Sequence, residues 1–152
     1  MEKDKVLMLV ASGLALIGFI DSAYLTTTHY FGVPIICGIT EGCEAVTTSV
    51  YAYIFGVPTA LFGTMYYGLA VLGWFASFLG GSTGLLRFMA WFAVIGVGVS
   101  AWLVFVQAFL LKQWCQWCLI SAACSVLIFG LAIYLNRKGH NISIEHRPDL
   151  SP

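Results

Sequence analysis

The chain alternates long apolar runs with short polar breaks. Charged residues are absent from Ala45 to Leu86, from Phe88 to Leu111 and from Gln113 to Asn136. The first apolar run, Val6 to about Thr27, holds a single one, Asp21. About 18 or more apolar residues with almost no charge are enough to cross the hydrocarbon core of a bilayer. The pattern predicts four spanning helices. The first covers Val6 to about Thr27, and the second runs from near Gly56-Val57-Pro58 to near Leu79. A proline suits a first helical turn, where its missing N–H has no partner to lose. Gly80-Gly81-Ser82-Thr83-Gly84 reads as a short turn, followed by a third helix from about Leu85 to Leu111. The fourth starts near Gln113–Cys115 and ends near Leu135, with Asn136, Arg137, Lys138 and Gly139 as a stop signal. Gly96, Gly98, Ser100 and Ala101 in the third helix would permit close helix contact. The first run begins like a signal peptide, but it is long enough to span and no small-x-small cleavage site follows it, so it is expected to stay. The predicted fold is an all-α membrane protein. Residues 1–136 form a four-helix bundle with a cysteine-containing loop between the first two helices, and 137–152 form a short tail.

Composition strengthens this picture. Sixty per cent of residues are hydrophobic, 9% are charged and the mean hydropathy is +0.90, against about 25% charge in a soluble domain. The zero formal net charge gives no reason to expect nucleic acid or an acidic partner. The distribution of charge does carry information. With four spans, one side holds Lys3, Lys5, Arg87, Arg137, Lys138 and Arg147, and the other holds only Lys112. Lys and Arg favour the cytoplasmic side. Both termini are therefore expected in the cytoplasm of a cell with the chain in its inner or plasma membrane. The loop from about Thr28 to Phe55 and the Lys112–Cys118 corner are expected on the outer face, where disulfides persist.

That placement gives the five cysteines a chemistry. Cys115-Gln116-Trp117-Cys118 falls where a polar break meets the last apolar run, and Cys37 and Cys43 lie in the outer loop beside Pro34, Gly38 and Gly42. A thiolate is the nucleophile of disulfide exchange, and a helix N-terminus stabilises it. Cys115 is expected there, with Lys112 nearby, and able to meet water-side thiols. Cys118, three residues on, lies roughly 4.5 Å deeper on nearly the same face. There it would point toward the boundary where a quinone headgroup sits, with Trp114 and Trp117 suited to the interface. Cys37 and Cys43 read either as a purely structural disulfide or as part of a relay through mixed disulfides. In the relay, a reduced partner attacks the loop disulfide, a loop thiol attacks Cys115–Cys118, and the resulting dithiol delivers two electrons to quinone. A different class of protein would use the same sulfurs as a tetrahedral four-thiolate zinc site. Closed zinc sites normally staple small soluble folds, so a membrane metal-binding protein is the secondary reading. Cys124, inside the fourth helix, reads as a small buried hydrophobe.

Other residues qualify as quinone contacts. Asp21 is an acid within the outer third of the first span, where acids count as functional candidates. It is weighed as a proton carrier against a solvated or hydrogen-bonded side chain. The Ser49 hydroxyl would hydrogen-bond a quinone carbonyl or cap a short helix. Tyr24, Tyr51, Tyr53, Phe55 and Phe62 would line a quinone pocket or anchor the chain at the interface. His29 and His140 have no metal-like spacing to the cysteines.

From about Gly13 to Leu135 the sequence resembles the vitamin K epoxide reductase family. The resemblance rests on Asp21-Ser22-Ala23-Tyr24-Leu25, the loop pair Cys37-x5-Cys43, Ser49 six residues later, Gly56-Val57-Pro58 and Cys115-Gln-Trp-Cys118, in that order. It implies a four-helix bundle around a quinone of the ubiquinone or menaquinone type. It also implies that Cys37 takes electrons from a thioredoxin-like partner, that Cys43 exchanges with Cys115, that Cys118 faces the quinone and that Ser49 lies near it. The animal enzymes have an asparagine where Ala52 aligns and a tyrosine where Ala122 stands. Both contact the vitamin K headgroup in that branch. These departures point away from vitamin K epoxide reduction, the alternative activity, and toward the prokaryotic one, protein disulfide formation. Many prokaryotic members carry a fused thioredoxin-like domain. With about sixteen residues after the fourth helix, the partner here is expected to be a separate protein.

Overall fold

The computed structural model describes residues 2–38, 42–80 and 82–145, with side chains through Lys138. Arg147 and the remainder of the expected tail, 146–152, lie outside them, as does the side chain of His140. Four long helices form the bundle: α1 (Glu2–Phe31), α3 (Thr59–Gly80), α4 (Thr83–Phe105) and α5 (Gln116–Glu145). All four, with α4 counted through Leu111, are long and apolar enough to cross a membrane. A five-residue helix, α2 (Cys43–Thr47), lies in the loop between α1 and α3.

The helix ends differ from the sequence pattern for local reasons. α1 runs past Thr27 to Phe31 and stops at Gly32, which adopts φ 62° while the Val33 N–H reaches back to the Thr28 carbonyl at 3.1 Å. This is the glycine-terminated cap that satisfies the last carbonyls of a helix. α3 begins at Thr59, later than expected. Val57–Pro58 instead forms a short strand, β2, antiparallel to β1 (Tyr53–Ile54). The two turn residues, Phe55 and Gly56, have φ of 51° and 80°, the conformation of a tight hairpin turn. Ser82 caps α4, its Oγ accepting the Leu85 N–H. The expected stop at Asn136–Gly139 does not end α5, which continues to Glu145. Arg and Lys are good helix formers, and one glycine costs only about 1 kcal/mol.

The core is built from small residues facing large ones. Ala11 and Ala15 of α1, Tyr67, Ala70 and Trp74 of α3, Met89 and Ala93 of α4, and Ile128, Ala132 and Leu135 of α5 form one buried cluster. α1 packs closely on α3: a Cβ on Gly18 would lie within 2.7 Å of three Tyr67 ring atoms, and one on Gly63 would lie 3.3 Å from Ser22 Cβ. The Tyr67 hydroxyl is anchored to α5, donating to the Ser121 carbonyl at 2.6 Å with Ser125 Oγ at 2.7 Å. Of the expected small residues in α4, Gly96 does admit a close neighbour, the Tyr66 phenol, whereas Gly98 faces open space. At the end where the chain begins, Lys138 of α5 pairs with Asp4 of α1 at 2.7 Å. Of the sequential pairs of long helices, α3 and α4 touch least, and a cavity walled by all four lies at the opposite end.

Candidate functional site

The corner between α4 and α5 sets the position of the sulfurs. α4 widens into a π-helical turn at Val106–Leu111, and Lys112 closes it in the left-handed conformation, φ 51°. The Gln107 carbonyl accepts the N–H groups of both Lys112 and Gln113, the latter at 3.2 Å. The Gln107 side chain continues the work: its Oε1 accepts the Cys115 N–H at 2.8 Å. Cys115 is thereby held as the residue immediately before α5, and its carbonyl accepts the first intrahelical bond, from Leu119 at 3.1 Å. Its sulfur takes the role of an N-cap acceptor, receiving the Cys118 N–H at 3.3 Å. The Cys115 thiol is held below its ordinary pKa first by the hydrogen bond from the Cys118 thiol, against the upward push of burial. The N–H groups of Cys118 and Trp117 add to the lowering, and the Asp21 charge opposes it.

Cys37 and Cys43 are joined as a disulfide, and Cys115, Cys118 and Cys124 are thiols. Cys43 is 1% exposed and Cys115 0%, and they share one buried cluster with Val46. Cys37 and Cys118 are half-buried and pack against the edge of that cluster. The loop is fastened there. Trp117 Nε1 donates to the Ile36 carbonyl at 3.0 Å, and the Ile36 N–H donates to the Tyr24 hydroxyl at 3.2 Å. The Tyr24 and Trp117 rings lie 5.2 Å apart. Gly42 passes so near the corner that a Cβ there would lie 2.9 Å from the backbone N and O of Trp114. Trp117, expected only as an interfacial anchor, is thus a tether for the cysteine loop. Trp114 is 44% exposed, as an anchor would be. The expectation that Cys115 meets water-side thiols is corrected by its complete burial, since it caps its helix facing inward against Cys43. Within the loop disulfide, half-buried Cys37 is more open to water than Cys43.

Cys118 also lines a cavity of about 380 Å³ at this end of the bundle, within the range typical of small-molecule sites. Its wall is mostly apolar and includes Asp21, Ser49, Phe62, Tyr66, Gln107 and Cys118. Three of these have buried polar atoms with no hydrogen-bond partner among the described residues: both Asp21 carboxyl oxygens, the Tyr66 hydroxyl and Gln107 Nε2. Buried polar groups are normally paired, so an apolar cavity with unpaired groups on its wall fits a ligand that brings polar atoms of its own. Ala52 and Ala122, where the animal branch has asparagine and tyrosine, both line this cavity and offer it only methyl groups.

The other expected contacts divide. Phe62 and Tyr51 reach the cavity. Ser49 does too, but its Oγ donates to the Val46 carbonyl at 2.8 Å, closing the end of α2. Phe55 does not: it sits at the hairpin turn, fully exposed, because its positive φ turns it away from the bundle. Tyr24 serves the loop tether, and Tyr53 packs against His29 at 5.4 Å. Among the described residues, no group of three or more His, Cys, Asp or Glu could hold a metal ion. Gln107 escaped the sequence reading. Its signal was present: one amide in a charge-free apolar run, where polar side chains are costly and functional.

The model of the vitamin K epoxide reductase family matches residues 9–133. An Arabidopsis thaliana protein described as thiol-disulfide oxidoreductase LTO1 is 31% identical over 124 residues, 75% of this chain and 32% of that protein. The chain therefore spans about a third of the length of that curated relative.

Proposed function

The chain belongs to the vitamin K epoxide reductase family, and from that premise we propose that it oxidises protein thiols at the expense of a membrane quinone. Electrons enter at Cys37 from a thioredoxin-like partner, fused or separate. The partner thiolate attacks Cys37 and Cys43 leaves as a thiolate; the partner's second thiol then releases itself as a disulfide. Cys43 next attacks Cys115 of the Cys115–Cys118 disulfide, and Cys118 leaves. Cys37 resolves the mixed disulfide, restoring the loop bridge and leaving two thiols at Cys115 and Cys118. The quinone, of ubiquinone or menaquinone type, takes the two electrons and two protons that this dithiol gives up as its disulfide closes. Asp21 carries a proton between the sulfurs and the quinone, and Ser49 and Phe62 shape the site.

One observation carries the proposal: the two sulfurs of one Cys-x-x-Cys open on two different places. Cys115 packs with Cys43, and Cys118 lines the cavity. The test is trapping. In Cys118→Ala membranes, mass spectrometry is expected to find a Cys43–Cys115 disulfide, with reoxidation of a thioredoxin-like substrate abolished. Asp21→Asn is expected to slow quinone reduction at least tenfold while leaving that trapping intact. Undiminished turnover in Cys118→Ala, or a Cys37–Cys43 bridge unchanged in every redox state, would overturn the relay.

A further inference from the structure

We propose that Gln107 is a substrate-contacting residue whose side-chain Nε2 donates a hydrogen bond to a carbonyl oxygen of the quinone. This deepens the proposed function and rests on it. The orientation of the amide is fixed by chemistry. The Cys115 N–H is a donor, and at 2.8 Å it must face the amide oxygen. The NH2 group is therefore turned away from Cys115. Gln107 is 1% exposed, Nε2 has no hydrogen-bond partner among the described residues, and the residue is part of the cavity wall that also presents Cys118.

The fit is one of hydrogen-bond sign. A quinone has carbonyl acceptors and no donor. The cavity therefore needs donors, and a buried amide NH2 supplies one at the end where the sulfur stands. A carbonyl oxygen gains negative charge as it accepts electrons, so a donor held in place there strengthens during reduction. The π-helical turn at Val106–Leu111 places the group; such turns frequently occur at functional sites. A single side chain thus couples both partners of the reaction. Oε1 holds the backbone of the cysteine, and Nε2 holds the oxidant.

The test uses the full chain in detergent or nanodiscs, with 2-methyl-1,4-naphthoquinone and its 1,4-dimethoxy analogue, which lacks carbonyls, as probes. The wild type is expected to bind the quinone at least tenfold more tightly than the analogue, by quenching of tryptophan fluorescence. Gln107→Glu, assayed at a pH high enough to ionise the new carboxyl, keeps an acceptor for the Cys115 N–H and loses the donor. It is expected to raise the quinone KM about tenfold and to erase the preference over the analogue. Gln107→Leu, which loses both bonds, is expected to impair exchange as well. Equal binding of quinone and analogue by the wild type overturns the assignment, as does an unchanged KM in Gln107→Glu. Failure of the wild type to bind or reduce any quinone overturns both this assignment and the function it rests on.

Discussion

At the scale of single residues, two groups bear on the proposed exchange. Trp117 fixes the loop through one hydrogen bond to Ile36, next to Cys37. Trp117→Phe keeps the ring against Tyr24 and removes only the donor. A hydrogen bond of this kind is worth about 1 kcal/mol net, so loop-to-Cys115 exchange is expected to slow roughly fivefold, measured by stopped-flow tryptophan fluorescence or acid-quench trapping. Cys115 provides the second handle. Its pKa is lowered first by the Cys118 thiol, so its thiolate forms at lower pH than that of an ordinary cysteine. The rate of Cys115 modification by a small, lipid-permeant thiosulfonate should therefore rise with pH and reach half its maximum below the usual thiol range. In Cys118→Ala, where the largest stabilising contact is gone, that midpoint should move to higher pH. An unmoved midpoint would show that the helix N–H groups alone set it. Residue chemistry of this kind was legible for the cysteines because their type and spacing announce it. Gln107 and Gly42 were not, because their roles come from three-dimensional neighbours: an N–H eight residues away in one case, and a backbone across the loop in the other.

At the scale of elements, the four spans were readable because apolar length alone identifies them. Their ends were not. The hydrophobic boundary marks where the membrane stops favouring a helix, and nothing at Thr27 or Leu135 forbids one. α1 ends where Gly32 supplies a cap, and α5 passes through residues that are charged yet helix-compatible. The hairpin was hidden for a related reason. Pro58 suits a first helical turn and an edge strand equally well from sequence, and pairing with Tyr53 decided between them. The α1–α3 contact depends on absent side chains. Gly18→Ala would place a methyl within 2.7 Å of the Tyr67 ring, whose hydroxyl is already committed to Ser121 and Ser125. Overpacking of this sort costs about 1–3 kcal/mol, and a lowered melting temperature in detergent is expected. Gly98→Ala in α4, facing open space, serves as the neutral control.

At the scale of the whole molecule, the topology assigns the sulfurs and the start of α1 to opposite ends of the bundle. The Asp4–Lys138 pair marks one end and the cysteine cluster the other. We propose that the sulfur end faces outward, on the charge asymmetry of the loops. Single cysteines placed at Glu2 and Glu44, in a background without Cys124, test this in intact cells. A membrane-impermeant maleimide is expected to label position 44 and spare position 2; the reverse pattern would invert the chain. The burial of Cys115 has a further bearing on selectivity. An enzyme that joins a pool of soluble thiols to a pool of lipid-borne oxidant risks becoming a short circuit between them. Among the described residues, one sulfur of the inner dithiol is sealed beneath the loop, and the other opens on the apolar cavity. On the proposed relay, small soluble reductants would discharge the outer bridge without reaching past it. On that relay the loop would act as a turnstile, admitting electron pairs one at a time and only through its own cysteines.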